Sequence, residues 1–475
     1  MRKTRKKGKI TTKAIVALVI VIIVVASALV LFKGKREEKE KEEAEEGIEL
    51  VIITRHDSTI WDAYEEAFLN SEEAKRLGVT KIRWLGPPPT LWVKTISSSD
   101  HIDIAWGGGP TLFDQLASAN VLMPIEDPET LKVIDEIPDE IAGAPMKRYV
   151  NGKLVWVASA IASFGFTINE DFLNKYNLPK PKVWEDLGCV EYAKILPIPT
   201  VAFAKPTMST SHTRIYEIIL QKFGWEKGWE VITRLAANGI PTDGSVEAQS
   251  KVDAGEVGVS ISIDFYGYTS GYKNPACSYV LPFNESIVNG DPIALTVKCK
   301  HKEAALAFIR FVLSKEGQSL WLSEKINRMP VRADAFDTEL GRKRADLKKK
   351  YEETLNNIGI KFDDEEALSI EYVMRIYLEA TLIDVHSELV ETWKAIVKAF
   401  LDGKITEEEF NEYCAWLGKP VSWVEDGKTY TFTEEFAKSI NERISKDPEF
   451  QSKMRSLWRE AALKKYKEIR ESLPS

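Results

Sequence analysis

Residues 48–69 read IELVIITRHDSTIWDAYEEAFL. The run IELVIIT is too continuously apolar for a strand with one wet face. It predicts a buried strand of a parallel sheet, ending at Thr54. After the polar turn Arg55-His56-Asp57, the spacing of Ile60, Tyr64 and Phe68 predicts an amphipathic helix over 59–76. The unit recurs downstream. KIRWL (81–85) runs into the breaker GPPP (86–89), and HIDIAWGGG (101–109) ends in three glycines ahead of the helical pattern TLFDQLASANVL. Repeated strand–turn–helix units predict an α/β fold on a parallel sheet. Sites in such sheets lie at the carboxyl ends of strands, here Arg55, His56 and Asp57, and Gly108 and Gly109.

A second α/β body is expected from about residue 155. LVWVASAIASFGFTIN (154–169) reads as long extended chain able to leave one lobe and enter another. The polar stretch 205–212, KPTMSTSH, leads directly into the helical pattern RIYEIILQKFG. Ser209, Thr210, Ser211 and His212 at a helix start can cap it, or present unpaired N–H groups to an anion. GVSISIDFYGY (258–268) reads as a strand that carries Asp264 and Tyr266 at its end. PIALTVKC and KEAALAFIRFVLS read as a further strand and helix. From Asp337 to Ser475 the pattern is almost wholly helical, and Trp393, Trp416 and Trp458 there read as packing residues.

Toward the amino end, residues 14–32, AIVALVIVIIVVASALVLF, carry no charge. Nineteen residues at about 1.5 Å each cover roughly 28 Å, the hydrocarbon thickness of a bilayer. Residues 1–13 hold seven Lys/Arg and no acid, which predicts a cytoplasmic basic tail and an extracellular body. The competing reading is a cleaved leader with Ala26-Ser27-Ala28 as its cleavage site. Residues 33–46 are a charged linker that cannot bury a core.

Net charge is −8, which argues against nucleic acid as partner. GxSxG, HExxH and GxxxxGK[ST] are absent, and His56, His101, His212, His301 and His386 show no metal spacing. These absences count against an enzyme, and no cofactor or catalytic residue is expected. Of the four cysteines, Cys277 and Cys299 are the expected disulfide pair, with free thiols as the alternative.

Several stretches resemble, in family order, the extracellular solute-binding proteins of ABC importers, in their iron(III)-type branch. They are DIAWGGGPTLFDQLASANVLMPI, VWEDLGCVEYAKILPIPTVAFAKPTMSTSHT, GWEKGWEVITRLAANG with AGEVGVSISIDFYGY, and KHKEAALAFIRFVLSKEGQSLWLSEKINRMPVRADAF. The likeness covers roughly residues 48–336. Its nearest texture is the group of the phosphoglycerate-transport regulatory protein. The resemblance implies a two-lobed, periplasmic-binding-protein-like (type II) body. Lobe 1 would comprise 47–157 and 283–318, lobe 2 158–282 and 319–336, with 337–475 a C-terminal α-helical extension. An apolar anchor with a charged stalk is similar to the arrangement of archaeal solute receptors.

The implied mechanism is capture of a small solute by lobe closure and delivery to an ABC permease and its ATPase. A sensor feeding a membrane kinase is the alternative. The expected ligand residues are Arg55, His56, Asp57, Gly108, Gly109, Ser209, Thr210, Ser211, His212, Asp264 and Tyr266. They suit a phosphorylated or carboxylate solute. Iron-binding members use adjacent tyrosines, and the corresponding stretch Asp264-Phe265-Tyr266-Gly267-Tyr268 lacks that pair. Were the ligand iron, His56, Tyr266 and Tyr268 would hold it, since 264, 266 and 268 share one face of a strand.

Overall fold

A computed structural model of the chain describes residues 47–356 and 359–474. The expected tail, anchor and charged linker lie outside these residues. Among the described residues no helix is long and apolar enough to cross a membrane.

The first body is built as the opening stretch predicts. Strand β1 (Ile48–Thr54) leads into helix α1 (Ser58–Leu69), and β2 (Val79–Leu85) and β3 (Ile104–Trp106) flank β1 in parallel. The expected single helix over 59–76 is two, because Asn70 ends the first and Ser71 caps a second over Glu72–Leu77. Helix α2 (Pro110–Ser118) follows the triple glycine. Strand β4 (Lys153–Asn169) is 17 residues long and buried from Leu154 to Asn169. Its small residues let neighbours approach closely. A Cβ on Gly165 would sit 2.2 Å from the Val280 carbonyl oxygen.

The second body comprises β5 (Val201–Ala204), α3 (Thr210–Phe223), β6 (Gly239–Thr242), α4 (Ser245–Asp253) and β7 (Val259–Ile263). Helix α5 (Asp264–Lys273), β8 (Cys277–Val280) and the return strand β9 (Val288–Thr296) follow. Helix α6 (Lys302–Leu313) then packs on the first body, and β10 (Met329–Pro330) pairs with β4. The main sheet path runs β6-β5-β7-β4-β9-β3-β1-β2. The amino half of β4 pairs with β9, and its carboxyl half with β7 and β8. Thus β4 and β9 run through both bodies, and the space between the bodies opens beside them.

Two large cores decide where the bodies part. Ile161 and Val288 belong to the first, Ala162 and Ile287 to the second. The expected lobe 1 limit at 157 thus falls four residues short. Residues 319–336, expected in lobe 2, pack in the first core instead through Trp321, Leu322, Ile326, Met329, Val331 and Phe336. Trp321 also donates from Nε1 to the Ser159 carbonyl at 2.9 Å.

The carboxyl-terminal region divides as well. Leu347 and Tyr351 join the first core. Helix α7 (Asp364–Leu378), α8 (His386–Leu401) and the long α9 (Pro448–Ser472) share the second core with β5, α3 and β7. Trp393 and Trp458 are fully buried there. Tyr377 stacks on Phe432 at 3.6 Å, and Trp393 Nε1 donates to Asn238 Oδ1 at 2.8 Å. The second body and the helices from residue 364 onward are one packed unit.

All four cysteines are free. The expected Cys277–Cys299 bridge does not form, because the two lie on different bodies. Cys277 pairs with the far end of β4 at Asn169, while Cys299 packs against the first core.

Candidate functional site

A cavity of about 280 Å³ opens between the bodies. The β1–α1 and β3–α2 turns, both at carboxyl ends of strands, supply its first wall. The starts of α3, α4 and α5 supply the second, and β9 lines the back. Nine of the eleven expected residues line it: Arg55, His56, Asp57, Gly108, Gly109, Ser209, Thr210, Ser211 and Tyr266.

Arg55 reaches across the opening. Its NH1 donates to the Pro87 carbonyl at 3.2 Å, and its NH2 to the Met208 carbonyl of the second body at 3.3 Å. Among the described residues no carboxylate lies within 4 Å of it. Burial lowers its pKa, while nearby Tyr266 opposes the shift. Asp57 is a helix cap, its Oδ1 accepting from the Thr59 and Ile60 amides at 2.9 and 3.4 Å. Its second oxygen remains for other partners.

Opposite lies the start of α3. Ser209 Oγ accepts from the His212 amide at 3.1 Å. It also contacts Ser245 Oγ at 2.6 Å, and Ser245 Oγ lies 3.0 Å from Ser211 Oγ. These hydroxyls crowd around the first turn of a 14-residue helix, whose leading N–H groups have no acceptor within the helix. His212 itself does not reach the cavity. It is fully buried, with Nδ1 3.0 Å from Ser209 Oγ, and burial pushes its pKa down to about 3. Its place is behind the site, holding the capping serine.

Asp264 is likewise displaced. The strand ends at Ile263 and residues 264–273 are helical, so 264, 266 and 268 share no strand face. Buried Asp264 accepts from the Ser163 amide at 2.7 Å and the Ser163 hydroxyl at 3.1 Å, and burial raises its pKa to about 6. It ties α5 to β4. The helical turn sends Tyr266 into the cavity and Tyr268 elsewhere, against Tyr279 at 5.3 Å and a surface recess beside Lys349 and Glu353. The iron set His56, Tyr266 and Tyr268 is therefore not assembled. Among the described residues no three His, Cys, Asp or Glu side chains are grouped to hold a metal ion.

Local sequence patterns do not point to the back of the cavity. Asp291 and Arg328, 37 residues apart, form a buried ion pair there through Oδ2 and NH2. A register shift between Asp291 and Pro292 in β9 turns the carboxylate toward the triple glycine. Its Oδ1 accepts from the Gly108 and Gly109 amides at 2.8 and 3.0 Å. These two amides are spent on Asp291, although Gly108 and Gly109 are among the expected ligand residues. Arg328 NH1 lies 3.2 Å from His56 Nδ1, and its guanidinium lies over Phe265 and Trp321.

Burial alone would raise the Asp291 pKa, but Arg328, His56 and the two amides hold it below the usual range. Burial pushes His56 down to about 3, so its 3.7 Å approach to Asp291 is no ion pair at neutral pH. Gly107, at φ 75°, is required here: a Cβ would fall 2.5 Å from the His56 ring. Asp291 is the one charged residue in the strand VNGDPIALT, with a proline beside it, and that is the one signal of it in the sequence.

Two α/β bodies on continuous strands, with a polar cavity between them, are the architecture of a receptor that closes on a small solute. Residues 78–349, more than half of the chain, match the family described as "Bacterial extracellular solute-binding protein", and the chain belongs to that family. It is 25% identical over 266 residues to the phosphoglycerate transport regulatory protein PgtC of Salmonella typhimurium, spanning 52% of this chain and 62% of the relative's length. Two solved structures share the fold. The periplasmic binding protein AfuA from Actinobacillus pleuropneumoniae, with exogenous fructose-6-phosphate bound, has TM-score 0.53 and 18% identity over 65% of this chain and 98% of its own. The ferric binding protein from Campylobacter jejuni has TM-score 0.50 and 17% identity over 69% and 99%.

Proposed function

We propose that the protein is the extracellular receptor of an ABC importer, capturing a small organic anion bearing phosphate or carboxylate and handing it to a membrane permease. One observation carries the choice of ligand. Arg55 has no carboxylate partner among the described residues, and it reaches the same cavity as the hydroxyl-rich start of α3. A guanidinium facing a helix start is a ready anion clamp. The cavity volume suits a small metabolite. The names of PgtC and of the AfuA complex support a phosphorylated solute.

Closure follows from the same geometry. Arg55 belongs to the first body and α3 to the second, so an anion bound to both favours the closed form by its differential affinity. The apolar run 14–32 and the basic residues 1–13 support a single-pass tether, with the body outside the cell. Resistance of the membrane-bound chain to alkaline extraction tests that part.

Binding to the full chain decides the ligand class. The panel is Fe(III)-citrate, inorganic phosphate, fructose 6-phosphate and phosphoglycerate, read by thermal shift and calorimetry. A phosphorylated solute at 100 times its Kd should add about 2.7 kcal/mol of stability. A shift with Fe(III)-citrate that iron-free citrate and the other anions do not give refutes the anion reading.

A further inference from the structure

The cavity continues inward past its mouth. Thr210, Arg214 and Glu217 recur at i, i+4 and i+7 on α3, share one face, and all line it. At about 1.5 Å per residue, Glu217 lies roughly 10 Å beyond Thr210 along the helix. The facing wall there is Glu371 and Arg375 of α7. Both lie outside residues 78–349, in the carboxyl-terminal region that the family match does not reach.

Helix α7 is fastened to α3 along its start. Arg214 NH2 donates to Asp364 Oδ1 at 2.9 Å. The Gln221 side chain both donates to and accepts from the Asp363 backbone, each at 2.8 Å. The position of Glu371 and Arg375 is thus set by contacts with the lobe itself.

The inner end is rich in unused hydrogen-bonding capacity. Glu217, Glu371 and Arg375 are at most 2% exposed. Neither carboxylate oxygen of Glu217 has a hydrogen-bond partner within the fold, and neither do Oε2 of Glu371 or Nε and NH1 of Arg375, while Oε1 of Glu371 is taken up by Arg375 NH2. Arg375 pairs with Glu371 through NH2, and Arg214 approaches Glu217 only to 3.5 Å. Buried charged groups with unmade hydrogen bonds are costly and call for a partner. Burial pushes the Glu217 pKa up to about 7 against the pull of Arg214 and Arg375, as expected for an acid short of donors.

The chemistry of that partner follows from what is unused. A second anionic group would face two carboxylates. An ammonium would leave the Arg375 donors unmet. A hydroxyl donates to a carboxylate and accepts from a guanidinium at once, and adjacent hydroxyls can engage both acids. We infer that α7 completes the solute site, with Glu217, Glu371 and Arg375 binding the hydroxyls of a phosphorylated sugar or polyol whose phosphate lies at Arg55 and the α3 start. The inference rests on the anion reading of the mouth and narrows it to a solute with hydroxyls about 10 Å from its phosphate-binding wall.

The test is calorimetric titration of the full chain with fructose 6-phosphate and with inorganic phosphate. The wild type is compared with Glu371→Gln and with Glu217→Gln on the other helix. The expected result is fructose 6-phosphate bound more tightly than phosphate. The ratio of the two Kd values should then shrink at least tenfold in either variant that keeps the wild-type circular dichroism spectrum. Arg55→Ala should weaken both ligands together. An unchanged ratio in folded variants, alongside an intact Arg55→Ala effect, overturns the α7 assignment and leaves the anion site standing. Equal wild-type affinity for the two ligands does the same. Binding of neither overturns both.

Discussion

Asp291 is the structural centre of the cleft, and its removal makes a quantitative test. Its carboxylate neutralises buried Arg328 and accepts two amides of the triple-glycine turn. In Asp291→Ala the guanidinium stays buried without a counter-charge, and two N–H groups lose their acceptor. Breaking a buried pair from one side costs about 3–5 kcal/mol. Arg328→Ala strands the carboxylate instead, but the glycine amides still satisfy it, so about 2–4 kcal/mol is expected. With both charges gone neither penalty applies in full. The double variant should be less destabilised than the sum by at least about 2 kcal/mol.

Denaturant titration of the full chain followed by tryptophan fluorescence is the assay. Trp106 and Trp321 report locally, since the His56 ring lies 4.6 Å from the one and Arg328 5.1 Å from the other. For the roughly 430 described residues the unfolding entropy is about 0.9 kcal/mol per degree, so a 4 kcal/mol loss lowers Tm by only about 4–5 °C. Denaturant midpoints are the better measure. Additivity of the two single changes within about 0.5 kcal/mol would refute the network.

Three further outcomes are expected. Arg55→Ala should weaken phosphorylated ligands by about 1.5–3 kcal/mol, the worth of a charged hydrogen bond, with little effect on Tm; an unchanged Kd removes Arg55 from the site. His56 and His212, both near 3 in the fold, refuse protons that the unfolded chain takes up below about 6.5, so each costs stability as pH falls. Glu217 and Asp264, raised to about 7 and about 6, act in the opposite sense down to about pH 4, so the net profile should be shallow from pH 7 to about 5 and steep below 4. His212→Gln should then gain on the wild type by up to about 1.4 kcal/mol per pH unit below 6.5, and urea midpoints against pH check it. Trp393→Ala should cost about 3–5 kcal/mol by cavity formation, and Gly418→Ala should prise its helix from Glu230, whose Cα would lie 2.2 Å from the new Cβ. A wild-type fluorescence transition in either would contradict the shared second core.

Much of this protein is legible in local patterns of residues. The buried strand at 48–54, its helix, the glycine turn at 107–109 and the polar helix start at 209–211 are each written within about twenty residues. Composition and the apolar run at 14–32 bear on location in the same local way, and that run lies beyond the described residues. Where local reading fails, a neighbour far along the chain is decisive. The start of α5 at Asp264 reads as continuing strand, because Asp-Phe-Tyr-Gly-Tyr alternates, yet Ser163 captures the carboxylate across 101 residues and the chain turns helical. His212 reads as accessible at a helix start, and the second core buries it. The Asp291–Arg328–His56 assembly joins positions up to 272 apart, and Glu371 and Arg375 reach the cavity from the region expected as a C-terminal helical extension, where no site residue is expected. Periodicity and turn chemistry are properties of neighbouring residues, so the sequence by itself determined most of the elements, the α/β class and the polar turns that edge the cleft. Which buried charges meet, and which end of the cavity the appended helix closes, depends on long-range packing, and only the tertiary structure decided it.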